Sequence, residues 1–464
     1  MQQAKVTVAQ TLTPAPRIFL SIWLFSAFLT EVAIIPGIRN NVGPFEICGL
    51  LSLLLLPAFK IRAFETKHPL IQILATITIA AALSQLYIGS AQSRFGIIQV
   101  AIMVFLLVFV TLLYNVLLRH QLTPAFFLEV VAYAILVVGP WIILTGVSSG
   151  GDIQAAGPFR TRAHMGSYML TAFWMVLMLA LWPGIRTRLK YVCYSSLALT
   201  LYAIAVSGRR SVYLSLLVGL AALAMVVFWG SPGRRSRLVI AATFIVLFLG
   251  GLYYVADAIN PQTAFFKERV SQIDDRLRQA AGVDDTNRGN KDFFALQREG
   301  VMMAFRESPI IGIGWGGFAK SRFSPTGHEV HSTPLRFLAE LGVLGLGLYA
   351  LMIAILLSSA VRMFRSMRQT PYGASYLALT VAIWSMSVSY LYNRHVTERT
   401  FWIFLVVFLA ADAFARRWHE LRRALAIRAA ADRVGDPPKR GRGDTALRPA
   451  TVARTLAPAS SPKR

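Results

Sequence analysis

The sequence predicts an all-α polytopic membrane protein with about twelve transmembrane helices and one large, partly helical loop between spans nine and ten. Three observations predict it. The 464 residues are 55% hydrophobic and only 15% charged, and the mean hydropathy is +0.55. Apolar runs of roughly 20 residues, the length that crosses a hydrocarbon core, recur along most of the chain. Lys and Arg gather in alternate short connections between those runs, as they do when one side of the bilayer retains the cations.

Taken in order, the spans fall near 18–38, 43–59, 69–88, 97–118, 126–146, 163–183, 191–207, 211–229, 237–256, 335–357, 373–391 and 400–415. No A-x-A-like cleavage site follows the first, which is therefore expected to be retained. The cation-rich connections carry Lys60, Arg62 and Lys67; Arg119; Arg186, Arg188 and Lys190; Arg234, Arg235 and Arg237; and Arg362, Arg365 and Arg368. These belong in the cytoplasm together with both termini, 1–17 and 416–464. The chain then divides into spans one to nine (18–256), a large external loop (257–334), spans ten to twelve (335–415) and a basic tail. The tail opens on "ARRWHELRRALAIRAAADR", which reads as an interfacial basic helix on anionic lipid. Its Pro-, Gly- and Arg-rich remainder has the composition of a disordered segment.

The formal charge of +25 would suggest nucleic acid in a soluble protein. Here the excess sits in membrane-flanking loops and the tail, and no basic face is interleaved with aromatics, so nucleic acid is excluded as a partner. The two cysteines, Cys48 and Cys193, each lie within an apolar run, without metal-ligand spacing. Within the spans Glu31 and Glu46 are the clearest acids. No chain of embedded carboxylates and histidines of the kind used by proton-driven transporters is evident.

Several short motifs bear on chemistry. "GIGWGG" (312–317) matches G-x-G-x-x-G, but no strand–turn–helix unit surrounds it, so it reads as a glycine-rich turn after a helix ending near Pro309. "HEVH" (328–331) is one residue short of the i, i+4 spacing that lets two histidines share a zinc ion, and Pro325 and Gly327 make the stretch a loop. No metal is expected there. Thr333 and Pro334 read as the N-cap and first position of a helix leading into span ten. His331 then stands just before a helix N-terminus, whose field disfavours imidazolium and favours a neutral, proton-accepting ring. A general base and an ordinary loop histidine are both compatible with that placement.

Arginines on the external side shift the balance. Arg160 and Arg162 lie in "GPFRTRAHMG", Arg209 and Arg210 in "SGRRS", and Arg394 and Arg399 in "NRHVTERT". The "SGRRS" pair occupies a turn of a few residues at membrane level, where a plain turn needs no cation. It fits either snorkelling to lipid headgroups or bidentate binding of a phosphate or pyrophosphate. In "NKDFFALQREGVMMAFRESP", Phe294, Val301, Met302 and Phe305 share one helical face with Arg298. An arginine on a packing face implies an anionic partner, either a ligand or a carboxylate such as Glu340.

"SGRRS" (207–211), "ESPIIGIGWGGF" (307–318) and "HSTPLRFLAELGVLGLGLY" (331–349) together resemble the O-antigen ligase and O-antigen polymerase superfamily of bacterial envelope glycosyltransferases. The superfamily shows S-G-x-R after a span, then P-x-x-G-x-G, then H-N-x-x-L and an A-E-x-G-x-x-G-L helix. The resemblance covers roughly residues 205–350, and Ser332 stands where asparagine usually follows the histidine. It implies a bacterial inner-membrane enzyme with a large periplasmic loop, acting without metal or other cofactor as an inverting glycosyltransferase. The implied donor is a glycan on undecaprenyl pyrophosphate, and the acceptor is lipid A–core or a second lipid-linked glycan. On the same basis His331 and Arg210 are catalytic, and Arg209, Arg298, Arg288, Arg160 and Arg162 bind pyrophosphate. A ligase, a polymerase of O-antigen or exopolysaccharide, and a lipid-linked oligosaccharide flippase remain the three readings.

Overall fold

The computed structural model describes residues 13–29, 43–61, 64–88, 93–148, 158–159, 162–207, 209–230, 288–324, 327, 329–392 and 398–435. Their regular structure is helical throughout. In chain order the helices are α1 (Pro14–Ser26), α2 (Pro44–Leu54), α3 (Pro69–Ile88), α4 (Ser93–His120), α5 (Pro124–Ser148), α6 (Arg162–Ala180), α7 (Thr187–Ser207) and α8 (Arg210–Gly230). After these come α9 (Arg288–Glu307), a 3-10 turn at Phe318–Lys320, α10 (Thr333–Met367), α11 (Gly373–Tyr392) and α12 (Arg399–Gly435).

Six stretches among the described residues are long and apolar enough to cross a membrane: Pro69–Leu86, Gly96–His120, Pro124–Thr145, Thr187–Ser207, Thr333–Met367 and Gly373–Leu391. Pro44–Leu54, His164–Ala180 and Ser211–Val226 are apolar but shorter. At 1.5 Å per residue, the 11 residues of α2 cover only about half of a ~30 Å hydrocarbon core. The expected span at 237–256 lies outside the described residues.

Exposed Ile79, Leu83, Leu86, Leu144, Tyr191 and Leu217 lie on the outer faces of these helices, while Trp23, Phe109, Phe127, Trp174 and Trp402 fill the centre. A hydrophobic exterior around a hydrophobic interior is what lipid, used as solvent, requires. Small residues let helices close up. A side chain on Gly166 of α6 would meet the Ser207 hydroxyl of α7 at 2.7 Å, so these two helices pack almost backbone to side chain.

Two helices run past their expected ends. α10 continues to Met367, ten residues beyond the expected boundary at 357, because "SSAVRMFRSM" contains no breaker. α12 continues to Gly435, so the basic amphipathic segment prolongs the last span instead of starting a separate element.

Candidate functional site

The site is built around α9, the "GIGWGG" turn and the first part of α10. α9 presents only part of the face expected from hydropathy: Val301 is buried and Phe305 half-buried, while the side chain of Phe294 lies outside the described residues. Among its described side chains Gln297, Val301 and Ala304 are buried, as is Gly300, whereas Met302 is 38% exposed and Arg298 faces solvent. The reading of Arg298 as an inward charge is therefore corrected. Gly300 and Ala304 carry little hydropathy, yet they set the packing face by letting neighbours approach. A side chain on Gly300 would strike the Phe323 carbonyl at 2.1 Å.

Beyond Glu307 the chain turns at Gly312, Gly314 and Gly316, each with positive φ, the conformation glycine adopts without steric cost. The turn docks against a break in α10, where Gly342 has φ 64° and ψ −157°. Carbonyls freed by the break accept from the turn: Ile313 N–H donates to Ala339 O at 3.0 Å, and Gly314 N–H to Glu340 O at 3.0 Å. In the other direction Val343 N–H donates to Pro309 O at 2.8 Å. The approach leaves no room for side chains, since a Cβ on Gly312 would lie 2.3 Å from the Glu340 carbonyl carbon. Thus the glycines serve close backbone docking and φ, as expected of a turn. Trp315 at the tip is fully buried, its backbone N–H donating to the Ser84 hydroxyl of α3 at 3.2 Å. Gln85 donates to the Trp315 carbonyl.

Sealed beneath the turn is an ion cluster that reading the sequence missed. Arg336 is 2% exposed and Glu340 is fully buried. Arg336 Nε donates to Glu340 Oε2 at 2.8 Å, its Nη1 lies 3.5 Å from Glu329 Oε2, and its guanidinium sits 4.4 Å over the Trp315 ring. Glu340 is thus taken by Arg336 and not by Arg298. The signal in the sequence was an Arg and a Glu four residues apart inside an otherwise apolar helix.

His331 lies before α10 and is half-buried. The N-cap is Ser332, one residue earlier than expected, because its carbonyl accepts the first helical bond from Arg336 N–H at 2.9 Å. The helix field then acts on His331 from the adjoining residue. His328 lies outside the described residues.

"SGRRS" joins α7 to α8 with only Gly208 and Arg209 between them. Arg209 reaches the Ser167 hydroxyl of α6, Nη1 to Oγ at 3.4 Å. Arg210 begins α8, Arg162 begins α6 and Arg288 begins α9. Arg160 and Arg394 fall outside the described residues. On the same stretch of α6, Tyr168 accepts from the Arg399 N–H at 3.2 Å, and His164 stands 4.0 Å from Glu398. Arg399 itself pairs with Glu46 at 2.8 Å. The starts of α6, α8 and α12 therefore meet in one polar cluster. A second polar cluster forms where α9 meets the start of α10, around His331.

The fold and these clusters define a multi-pass helical membrane protein that concentrates arginine and histidine at helix starts. Residues 195–350, about a third of the chain, match the family model described as O-antigen ligase. The match takes in the "SGRRS" turn, α9, the glycine turn and the His331 segment, and it supports the O-antigen ligase/polymerase superfamily for this region. No curated protein matches the chain.

Proposed function

We propose that the protein is a metal-independent, inverting glycosyltransferase of the O-antigen ligase type, working at the periplasmic face of the bacterial inner membrane with both termini in the cytoplasm. The donor is a glycan on undecaprenyl pyrophosphate and the acceptor is a sugar hydroxyl of lipid A–core. His331 takes the proton from that hydroxyl as its oxygen attacks the anomeric carbon from the face opposite the leaving group. The bond from the anomeric carbon to the pyrophosphate oxygen breaks, and undecaprenyl pyrophosphate departs with the electron pair. Arg210 holds the developing charge, assisted by Arg209, Arg298, Arg288, Arg160 and Arg162, which do the work a divalent cation does elsewhere. Single displacement inverts the centre.

The observation that carries this reading is the family match, which contains both "SGRRS" and the His331 segment. The placement of His331 one residue before the cap of α10 supports it. Envelope-glycan gels from a deletion strain test it. A ligase leaves core without polymer while lipid-linked polymer accumulates. Core bearing a single repeat marks a polymerase, and an unchanged profile overturns glycan transfer and leaves the flippase. Re-expressed His331→Ala is expected to restore nothing, and Arg210→Lys to restore a tenth or less of product, since lysine keeps the charge but lacks the bidentate fork. Full complementation by His331→Ala overturns the base assignment.

A further inference from the structure

His331 sits in a short non-helical segment before α10, whose position must be fixed for its ring to meet a hydroxyl. Ser332 makes no side-chain capping bond. Three of the contacts made by residues 329–331 bear on that position. The Glu329 carboxylate is drawn to Arg336 at 3.5 Å. Val330 is 1% exposed and packs with Val301, Ala304, Ile313, Phe318 and Ala339. The third contact comes from Gln297, a polar side chain on the packed face of α9 that is itself only 4% exposed.

The Gln297 amide uses both ends on this segment. Nε2 donates to the Glu329 carbonyl at 3.0 Å, and Oε1 accepts from the His331 N–H at 3.5 Å. A trans peptide group points its N–H and C=O in opposite directions, whereas the primary amide of glutamine carries an N–H on the same side as its oxygen. One glutamine side chain can therefore bond a carbonyl and an N–H two residues apart at once. The two backbone partners also dictate which way the amide points, since only nitrogen donates and only oxygen accepts. Packing alone does not call for glutamine, because methionine fills the same volume among Val301 and Ala304.

We propose that Gln297 is a positioning residue for His331, its amide clamping the backbone on either side of Val330 and so setting where the imidazole stands. The proposal rests on the base reading of His331. A catalytic group moved by about 1 Å loses on the order of a hundredfold in rate, so a clamp lost from the backbone reads out in turnover, and binding is left largely as it was.

The test uses the full chain reconstituted in phospholipid vesicles, with undecaprenyl-pyrophosphate-linked glycan extracted from the source strain and its purified lipid A–core. Rates are normalised to folded protein, so a variant that merely folds poorly is corrected for. Gln297→Met is expected to lower kcat by roughly tenfold to a hundredfold with KM within about twofold, and to displace the limb of the pH–rate profile that reports the base. Should Gln297→Met not accumulate folded, Gln297→Asn, which keeps the amide but withdraws it by one methylene, is read against the same two outcomes. Wild-type kcat per folded molecule, or a loss confined to KM, overturns the clamp. His331→Ala is run alongside. If it is inactive while Gln297→Met turns over normally, the clamp alone falls. If His331→Ala turns over normally, the base reading falls and takes the clamp with it.

Discussion

The two ends of the bundle both bury charge, but they close it differently. At the end where α3 begins and α12 leaves the core, a single acid, Asp412, sits between two donors. His68 Nε2 lies 3.2 Å from its Oδ2, and Arg416 Nε donates to the same oxygen at 2.8 Å. The other nitrogen of His68, Nδ1, accepts from Leu70 N–H at 3.2 Å, which turns Nε2 as donor toward Asp412. Tyr372, Phe414 and Trp418 pack beside it with ring centroids 4.9 and 5.3 Å apart. The partners described for Asp412 there, His68 and Arg416, belong to the chain itself.

At the opposite end one sealed cation, Arg336, faces two carboxylates, and α6, α8, α9 and α12 each begin at an arginine. Arg336 and Arg399 meet Glu340 and Glu46, whereas the contact described for Arg209 is a neutral hydroxyl. The difference teaches that burial does not identify a working charge. Charges matched by the chain's own opposite charges hold the fold together. The proposed substrate contacts are sought among the arginines at helix starts, Arg209 and Arg210 first.

The sharpest way to break this division is Arg336→Met. It strands Glu340, fully buried, without its cation, and breaking a buried pair from one side costs about 3–5 kcal/mol. The expected outcome is a large fall in thermal midpoint in detergent and little folded protein. An Arg336→Met protein that folds normally but cannot transfer glycan would move Arg336 from scaffold to site. Next in size is Gly312→Ala, which meets both a positive φ of 69° and the Glu340 backbone at 2.3 Å. About 2–3 kcal/mol is expected, read as a lower unfolding midpoint with the glycine turn undocked from α10.

Asp412→Asn sharpens the comparison from the other end. It removes charge-assisted bonds to His68 and Arg416, and about 1–2 kcal/mol of stability is expected to go with them. Turnover per folded molecule should stay at the wild-type value, and a fall in kcat would mean that the two ends are coupled. The smallest effect belongs to Arg322→Ala. Its partner is Glu307, and the two side chains are 76% and 48% exposed, so stability should stay within about 0.5 kcal/mol.

Much of this could be read from the sequence, though unevenly. Hydropathy placed α3, α4, α5, α7 and α11 within a few residues because a bilayer demands continuous apolar length, a property the chain carries locally. The glycine turn was legible for a similar reason: "GIGWGG" following Pro309 leaves the backbone few alternatives. The face of α9 was legible only in part: Val301 was expected and is buried, but hydropathy ranks Met302 above Gly300 and Ala304, whereas packing rewards whichever surface lets Val330 and Phe323 come close. Gln297, Val301 and Ala304 do form an i, i+4, i+7 stripe, and a glutamine in that stripe was the available sign of a clamp.

By itself, then, the sequence determined the helical membrane architecture, the glycine turn and the set of residues from Ser207 to Tyr349 that carry the family's motifs. Each depends on neighbours within a turn or two of the chain, or on contact with lipid. Only the tertiary structure decided that Arg336 closes on Glu329 and Glu340 beneath Trp315, that α10 breaks at Gly342 to receive the turn, and that Gln297 reaches across 34 residues of sequence to hold His331. Those pairings join segments far apart in the chain, and their energies come from excluding water between surfaces that meet only once the bundle has assembled.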